Sequence, residues 1–319
     1  RGWGWRYPEW DAYHGRYRKQ WCTVMEVDPR PEDMRLVDSP PSGDLRRRLA
    51  RLGVGLERRR RQPQGDDVDV DAAVEARVEF LAGSTPEDGV YIESQRRRRS
   101  LAVLVLLDIS GSVAERSSPL GSAHEQQRRA AAILLDALYS LGDRVALYGF
   151  RSQGRSSVYL IRVKSFDEVL TGLTRQRLGG LVPGGYTRLG AAIRHSAHVL
   201  ATQAGTERRL LVVLSDGFPY DDGYEGGYAE ADARHALAET RRQGIGCLCL
   251  TLGATTPTQA LRRVFGTAAH ASAPELADLF NQIGPLFRRA MTSADLQRRL
   301  AQRHQFDDRS RMTTGKGAT

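Results

Sequence analysis

Five oxygen-bearing side chains in three stretches stand out for the chemistry they could do together. Asp108, Ser110 and Ser112 alternate along Asp108-Ile109-Ser110-Gly111-Ser112, Thr187 follows the glycine pair Gly184-Gly185, and Asp216 sits in Ser215-Asp216-Gly217. The first run offers a carboxylate and two hydroxyls on one side of a turn, with Ile109 pointing inward and Gly111 letting the backbone bend closely. Carboxylates and hydroxyls are hard donors that suit Mg²⁺, Mn²⁺ or Ca²⁺ rather than zinc or copper. Mg²⁺ is the expected ion, with Mn²⁺ and Ca²⁺ as alternatives. Two aspartates just balance a divalent charge, and with water completing the shell one position stays exchangeable for an Asp or Glu of another protein. No general base stands nearby in sequence, so the set is better suited to gripping a carboxylate than to hydrolysis, and no enzyme activity is expected. Each piece alone has an ordinary reading: Asp, Ser and Gly are common turn residues, Thr187 is a good helix N-cap, and Asp216-Gly217 is a turn. Their order along the chain, each at a strand end or helix start, favours the metal.

The elements that must position them are legible as periodicity. Residues 101–107 form a continuous apolar run, the pattern of a central parallel strand. Further strands are predicted at 144–150, 157–163, 209–214 and 245–252, and helices at 124–141, 187–204, 228–243, 258–264 and 274–299. This alternation predicts an α/β fold: a doubly wound, mostly parallel sheet flanked by helices, with right-handed crossovers. Ligands of such sheets bind outside the carboxyl ends of the strands. Cys247 and Cys249 lie two apart in the 245–252 run and face one side of that strand, a core position. With Cys22 they make three cysteines, an odd and low number that fits a reducing cytoplasm better than a disulfide framework.

Before residue 100 the pattern changes. All four tryptophans lie within the first 21 residues, and the stretch after them is interrupted by Pro29, Pro31, Pro40, Pro41 and Pro63. Leu45, Leu49, Leu52 and Leu56 predict a helix over 44–61, and Val70, Val74, Val78 and Leu81 another over 69–81. The expected division is a mostly helical extension over 1–99 that packs its apolar faces on a neighbour, the α/β domain over 100–300, and a basic tail over 301–319. The chain starts at Arg1 inside the Trp-rich run and reads as a fragment of something longer.

The 319 residues are 40% hydrophobic and 27% charged, a globular balance that excludes wholesale disorder. No apolar run approaches the length of a membrane-spanning helix, and no signal peptide opens the sequence. A net charge of +9 raises nucleic acid as a partner. The first hundred residues nearly balance their charges, however, and most of the surplus lies beyond Pro285. No aromatic-interleaved RNA-binding signature occurs, so a protein-facing surface is expected rather than nucleic acid.

Gly315-Lys316-Gly317 lacks the rest of a phosphate-binding loop, so any ATP-driven role needs a partner. No Gly-x-Ser-x-Gly elbow is present, and Ser110 stands where a dehalogenase-type phosphatase needs its second Asp. The acidic run 66–71 has calcium-like spacing, but Ala72 replaces the loop glycine, and an acid-rich helix start explains it better. His195 and His198, one helical turn apart, lack a third ligand.

Asp108, Ser110, Ser112, Thr187 and Asp216 together resemble the metal-ion-dependent adhesion site of von Willebrand factor A (VWA) domains over roughly residues 100–290. The resemblance implies that Ser110, Ser112 and Thr187 contact the metal directly or in exchange, while Asp108 and Asp216 act partly through water. Tyr7-Pro8-Glu9-Trp10-Asp11, Trp21-Cys22-Thr23, Asp69-Val70-Asp71-Ala72-Ala73, the stretch from Tyr186 to His195 and that from Asp216 to Gly226 are similar to the NorD/CbbO family. Phe218 stands where many relatives carry Lys. The family resemblance implies a cytoplasmic adaptor working with a MoxR-type AAA+ ATPase (NorQ- or CbbQ-like) on a client, nitric oxide reductase or else Rubisco. Tyr186, Arg188, Tyr220, Asp221, Asp222 and Glu225 are then expected to form a rim that shapes partner recognition. An extracellular adhesion module and a metal-dependent hydrolase are the alternatives. The first is opposed by missing secretion signals and disulfides, the second by the missing base and nucleophile.

Overall fold

The computed structural model describes residues 4–36, 42–53, 56–65, 67–86, 89–96, 100–111, 117–118, 121–215, 218–252 and 257–314. The chain begins with β1 (Trp5–Asp11), β2 (Arg16–Val27), α1 (Gly43–Gly53), β3 (Leu56–Gln62), β4 (Asp67–Val68), α2 (Val70–Leu81) and β5 (Tyr91–Arg96). It continues with β6 (Leu101–Asp108), the short pair β7 (Ser117–Ser118) and β8 (Gly121–Ser122), α3 (Ala123–Ser140), β9 (Arg144–Ser152), β10 (Val158–Lys164) and α4 (Gly172–Gly179). The remainder is α5 (Leu189–Gln203), β11 (Arg208–Leu214), α6 (Gly226–Arg242), β12 (Ile245–Leu252), α7 (Thr258–Phe265), β13 (Ala269–Ala273) and α8 (Leu276–Thr314).

Eight strands form one sheet in the order β1-β2-β10-β9-β6-β11-β12-β13. From β9 to β13 all neighbours run parallel, so the carboxyl ends of β9, β6, β11 and β12 share one edge. All eight residues of β6 are buried, as a strand covered on both faces requires. Its Ala102, Leu104 and Leu106 join one core with Leu189, Ile193 and Leu200 of α5 and Ala233 and Leu237 of α6. Helices α3 and α8 cover the opposite face. Cys247 and Cys249 are buried in the first core, as their spacing predicts. Helix α3 opens on a reciprocal cap: the Ser122 hydroxyl accepts from the Glu125 amide at 3.2 Å, and the Glu125 carboxylate accepts from the Ser122 amide at 3.0 Å.

The region before residue 100 departs from the expected helical extension. Its first part is a β-hairpin that adds to the sheet, β2 running parallel to β10 and β1 antiparallel to β2. By contacts, residues Arg1–Leu49 and Ser100–Thr319 make one compact unit and Ala50–Arg99 a second. The helix expected over 44–61 ends at Gly53, and Leu56–Gln62 is instead strand β3, paired antiparallel with β5. Gly53 and Gly55 are poor helix formers, which breaks the leucine periodicity there. Within the second unit, α2 forms where expected, and the Asp69 carboxylate accepts from the Ala72 amide as its N-cap. Its Val70, Val74 and Val78 are 67%, 58% and 60% exposed.

Candidate metal centre

Asp108 is the last residue of β6, at the carboxyl edge of the parallel strands. The chain then turns toward the glycine pair before α5: the Gly111 amide donates to the Gly185 carbonyl at 3.0 Å, and the Gly184 amide donates to the Ile109 carbonyl at 2.9 Å. Gly185, not Gly111, is the position that demands glycine. It has φ +72°, and a Cβ there would sit 2.6 Å from the Ser152 carbonyl oxygen, whereas a Cβ on Gly111 would meet nothing closer than 3.4 Å. Beyond Gly185 the backbone is stitched on both sides. Tyr186 exchanges two hydrogen bonds of 2.8 Å with Ser152, and Thr187 exchanges bonds of 2.7 and 3.0 Å with Tyr220.

This stitching delivers Thr187 to Asp108 across 79 residues of sequence, the hydroxyl lying 3.4 Å from the carboxylate. Thr187 is therefore not the helix N-cap: α5 begins after Arg188, and no side chain caps it. The Asp108 carboxylate also accepts from the Ser110 amide at 2.9 Å and from the Ser215 hydroxyl at 2.9 Å. Asp108, Ser110, Thr187 and Ser215 are all buried. Ser215 was not among the expected residues; its hydroxyl supports the Asp108 carboxylate, and its position directly after β11 was the available signal. Ser112 and Asp216 lie outside the described residues.

The donor set fits a hard divalent cation. Metal–oxygen distances of about 2.0–2.5 Å put neighbouring ligand oxygens roughly 3–3.5 Å apart, the separation between Thr187 and Asp108. Among the described residues no group of three or more His, Cys, Asp or Glu is placed to hold a metal ion. His195 in particular is fully buried and committed elsewhere, its ring bonded to the Tyr7 hydroxyl and the Glu26 carboxylate at 2.8 Å each, while His198 is exposed.

The expected rim divides. Tyr186 and Tyr220 are 46% and 50% exposed, their rings meeting edge-on at 5.6 Å, and Asp222 and Glu225 are exposed beside them. The nearby Glu225 charge raises the Tyr220 phenol pKa. Arg188 and Asp221, in contrast, are buried and form no part of the exposed rim. Arg188 places its guanidinium 2.5 Å from the Glu9 carboxylate and 3.1 Å from that of Asp221, and donates to the Asp222 carbonyl at 2.6 Å. Burial alone would lower its pKa, but the Glu9 charge and its other partners hold it above the ordinary arginine range. Asp221 in turn accepts from the Gly154 amide at 2.8 Å, fixing the loop.

The parallel sheet flanked by helices is the fold of a VWA-type domain, and the family match agrees. Residues 45–277 match the family model described as "VWA domain containing CoxE-like protein", and the chain belongs to that family. It is 37% identical over 297 residues to an uncharacterised protein of Pseudomonas aeruginosa, covering 90% of this chain and 47% of that protein. It is 33% identical over 287 residues to Protein NorD of Brucella suis, covering 88% of this chain and 45% of NorD. The chain thus spans less than half the length of these relatives. Among solved structures, BatB of Bacteroides thetaiotaomicron superposes with a TM-score of 0.44 at 18% identity, over 60% of this chain and 99% of that one. No helix among the described residues is long and apolar enough to cross a membrane.

Proposed function

We propose that the chain is the metal-dependent recognition module of a NorD-type adaptor, a non-enzymatic protein that grips a client and couples it to a MoxR-type AAA+ ATPase. The observation that carries the reading is the approach of Thr187 to Asp108, which joins two distant stretches of hard oxygen donors at the carboxyl edge of the sheet. When bound, a divalent ion, Mg²⁺ before Mn²⁺ or Ca²⁺, supplies a positive centre for a carboxylate of the client. Asp108, Ser110 and Thr187 would hold it, together with Ser112 and Asp216. Ser215 holds the Asp108 carboxylate in place, and the exposed pair Tyr186 and Tyr220 offers aromatic surface beside it. Three buried, free cysteines are in keeping with work in the cytoplasm.

Identity to NorD proteins favours nitric oxide reductase as client, with Rubisco the runner-up. The test is co-purification of the full-length protein with its MoxR-type ATPase and each candidate client, in Mg²⁺ and in EDTA. Metal-dependent capture of the client, lost in Asp108→Ala, is expected. Capture and activation that survive both EDTA and the substitution would refute the metal bridge, and metal-dependent phosphoester turnover would replace the adaptor with an enzyme.

A further inference from the structure

Thr187 owes its position to a single backbone bridge on each side, not to a helix or a long strand. Something must hold that segment against the sheet, and the residue after it does so from inside the fold. Arg188 is 1% exposed, and its fork reaches Glu9 on β1, Asp221 beside Tyr220, and the Asp222 carbonyl, with the guanidinium 4.7 Å over the Tyr224 ring. Glu9 is equally buried and is itself fixed: it accepts from the Tyr228 hydroxyl at 2.8 Å and from the Cys22 thiol at 3.0 Å. A buried arginine held by two carboxylates is stable only while each partner stays in place, because removing one leaves charge stranded in a medium of low polarity. The amino-terminal hairpin is thus tied through one carboxylate to the residue next to the metal-facing threonine. Glu9 lies outside the 45–277 stretch that the family model matches.

We propose that Glu9 is a positioning residue of the metal centre: through Arg188 it holds Thr187 at Asp108, so the amino-terminal hairpin is a working part of the site. The metal half of this statement rests on the proposed function; the positional half does not. The experiment uses the whole chain as wild type, Glu9→Gln and Glu9→Ala. The first readout is amide hydrogen exchange in the metal-free protein. Exchange at Thr187 and Tyr220 is expected to speed up roughly tenfold or more in Glu9→Ala while β12 amides keep their protection, and Glu9→Gln, which retains an acceptor for Arg188, should lie between. A merely structural role would lower protection everywhere together. The second readout is Mn²⁺ affinity by electron paramagnetic resonance, expected to weaken roughly ten- to hundredfold in Glu9→Ala and less in Glu9→Gln. Should Glu9→Ala fail to fold, Glu9→Gln carries both measurements. Local exchange unchanged in the variants overturns the proposal, as does unchanged Mn²⁺ affinity where the wild type binds the ion. A wild type that binds no Mn²⁺ sinks the metal reading instead, and the exchange result then decides the positional claim alone.

Discussion

Strand β6 and the β1–β2 hairpin belong to one sheet yet are held there by different physics. β6 is buried along its whole length by aliphatic side chains, whose attachment is non-directional and scales with apolar area. Most hairpin residues are exposed or half-buried; Cys22 and Val24 enter the core, and long-range polar contacts fasten the rest of the element. Trp10 donates its amide to Asp232 at 2.7 Å, Glu9 pairs with Arg188, and Tyr17 donates to Glu239 at 2.7 Å. Asp232 also accepts from Arg194 and from the Tyr224 hydroxyl, both at 2.8 Å. Aliphatic burial makes the sheet stable, whereas the polar contacts specify which residue lies against which. Positional accuracy matters at the strand ends, where Thr187 must face Asp108.

The contrast can be broken most severely at Asp232. Asp232→Ala strands the buried Arg194 with Glu239 alone among the described carboxylates and removes the Trp10 contact, a loss of about 3–5 kcal/mol in chemical denaturation. Exchange protection should fall first in the hairpin. Leu104→Ala in β6 is expected to cost about 2–5 kcal/mol by leaving a cavity, but to lower protection across the whole sheet without singling out the hairpin. If the two substitutions give the same exchange pattern, the division between the two attachments is wrong.

Acid provides a milder test. The Glu26 pKa is lowered, chiefly by its hydrogen bond to His195, and that of Glu239 is lowered because Arg194 outweighs the effect of burial. A depressed carboxylate adds stability above its unfolded pKa and loses it as pH falls through the folded one. Protection of hairpin amides, corrected for intrinsic exchange, should therefore decline below the ordinary glutamate value of 4.5, before that of β6. A simultaneous decline would count against polar fastening.

The same contrast explains what could be read from sequence. Apolar runs mark β6, β11 and β12, and helical periodicity marks α3, α5 and α6, because burial leaves a repeating signature. Asp108, Ser110 and Thr187 are legible because they stand at the ends of those elements. Strand β2 opens Arg-Tyr-Arg-Lys-Gln and shows no clear alternation, so its place in the sheet was hidden. The long-range partners of Glu9, Asp232 and Glu26 leave no local pattern either. Arg188 and Asp221 read as surface residues because charge is usually exposed, and only the fold supplies the partners that bury them. Beyond the first unit, the leucine spacing over 44–61 misled because glycines interrupt it and the arginine run pairs as a strand.

The gathering of Asp108, Ser110 and Thr187 about one hard cation is tested most directly by titrating Mg²⁺ and Mn²⁺ calorimetrically into the wild type, Thr187→Val and Asp108→Ala. The account predicts one ion per chain in the wild type, an affinity weakened roughly tenfold or more when the Thr187 hydroxyl alone is removed, and no binding without the Asp108 carboxylate. Equal binding by all three proteins, or none by the wild type, would contradict it.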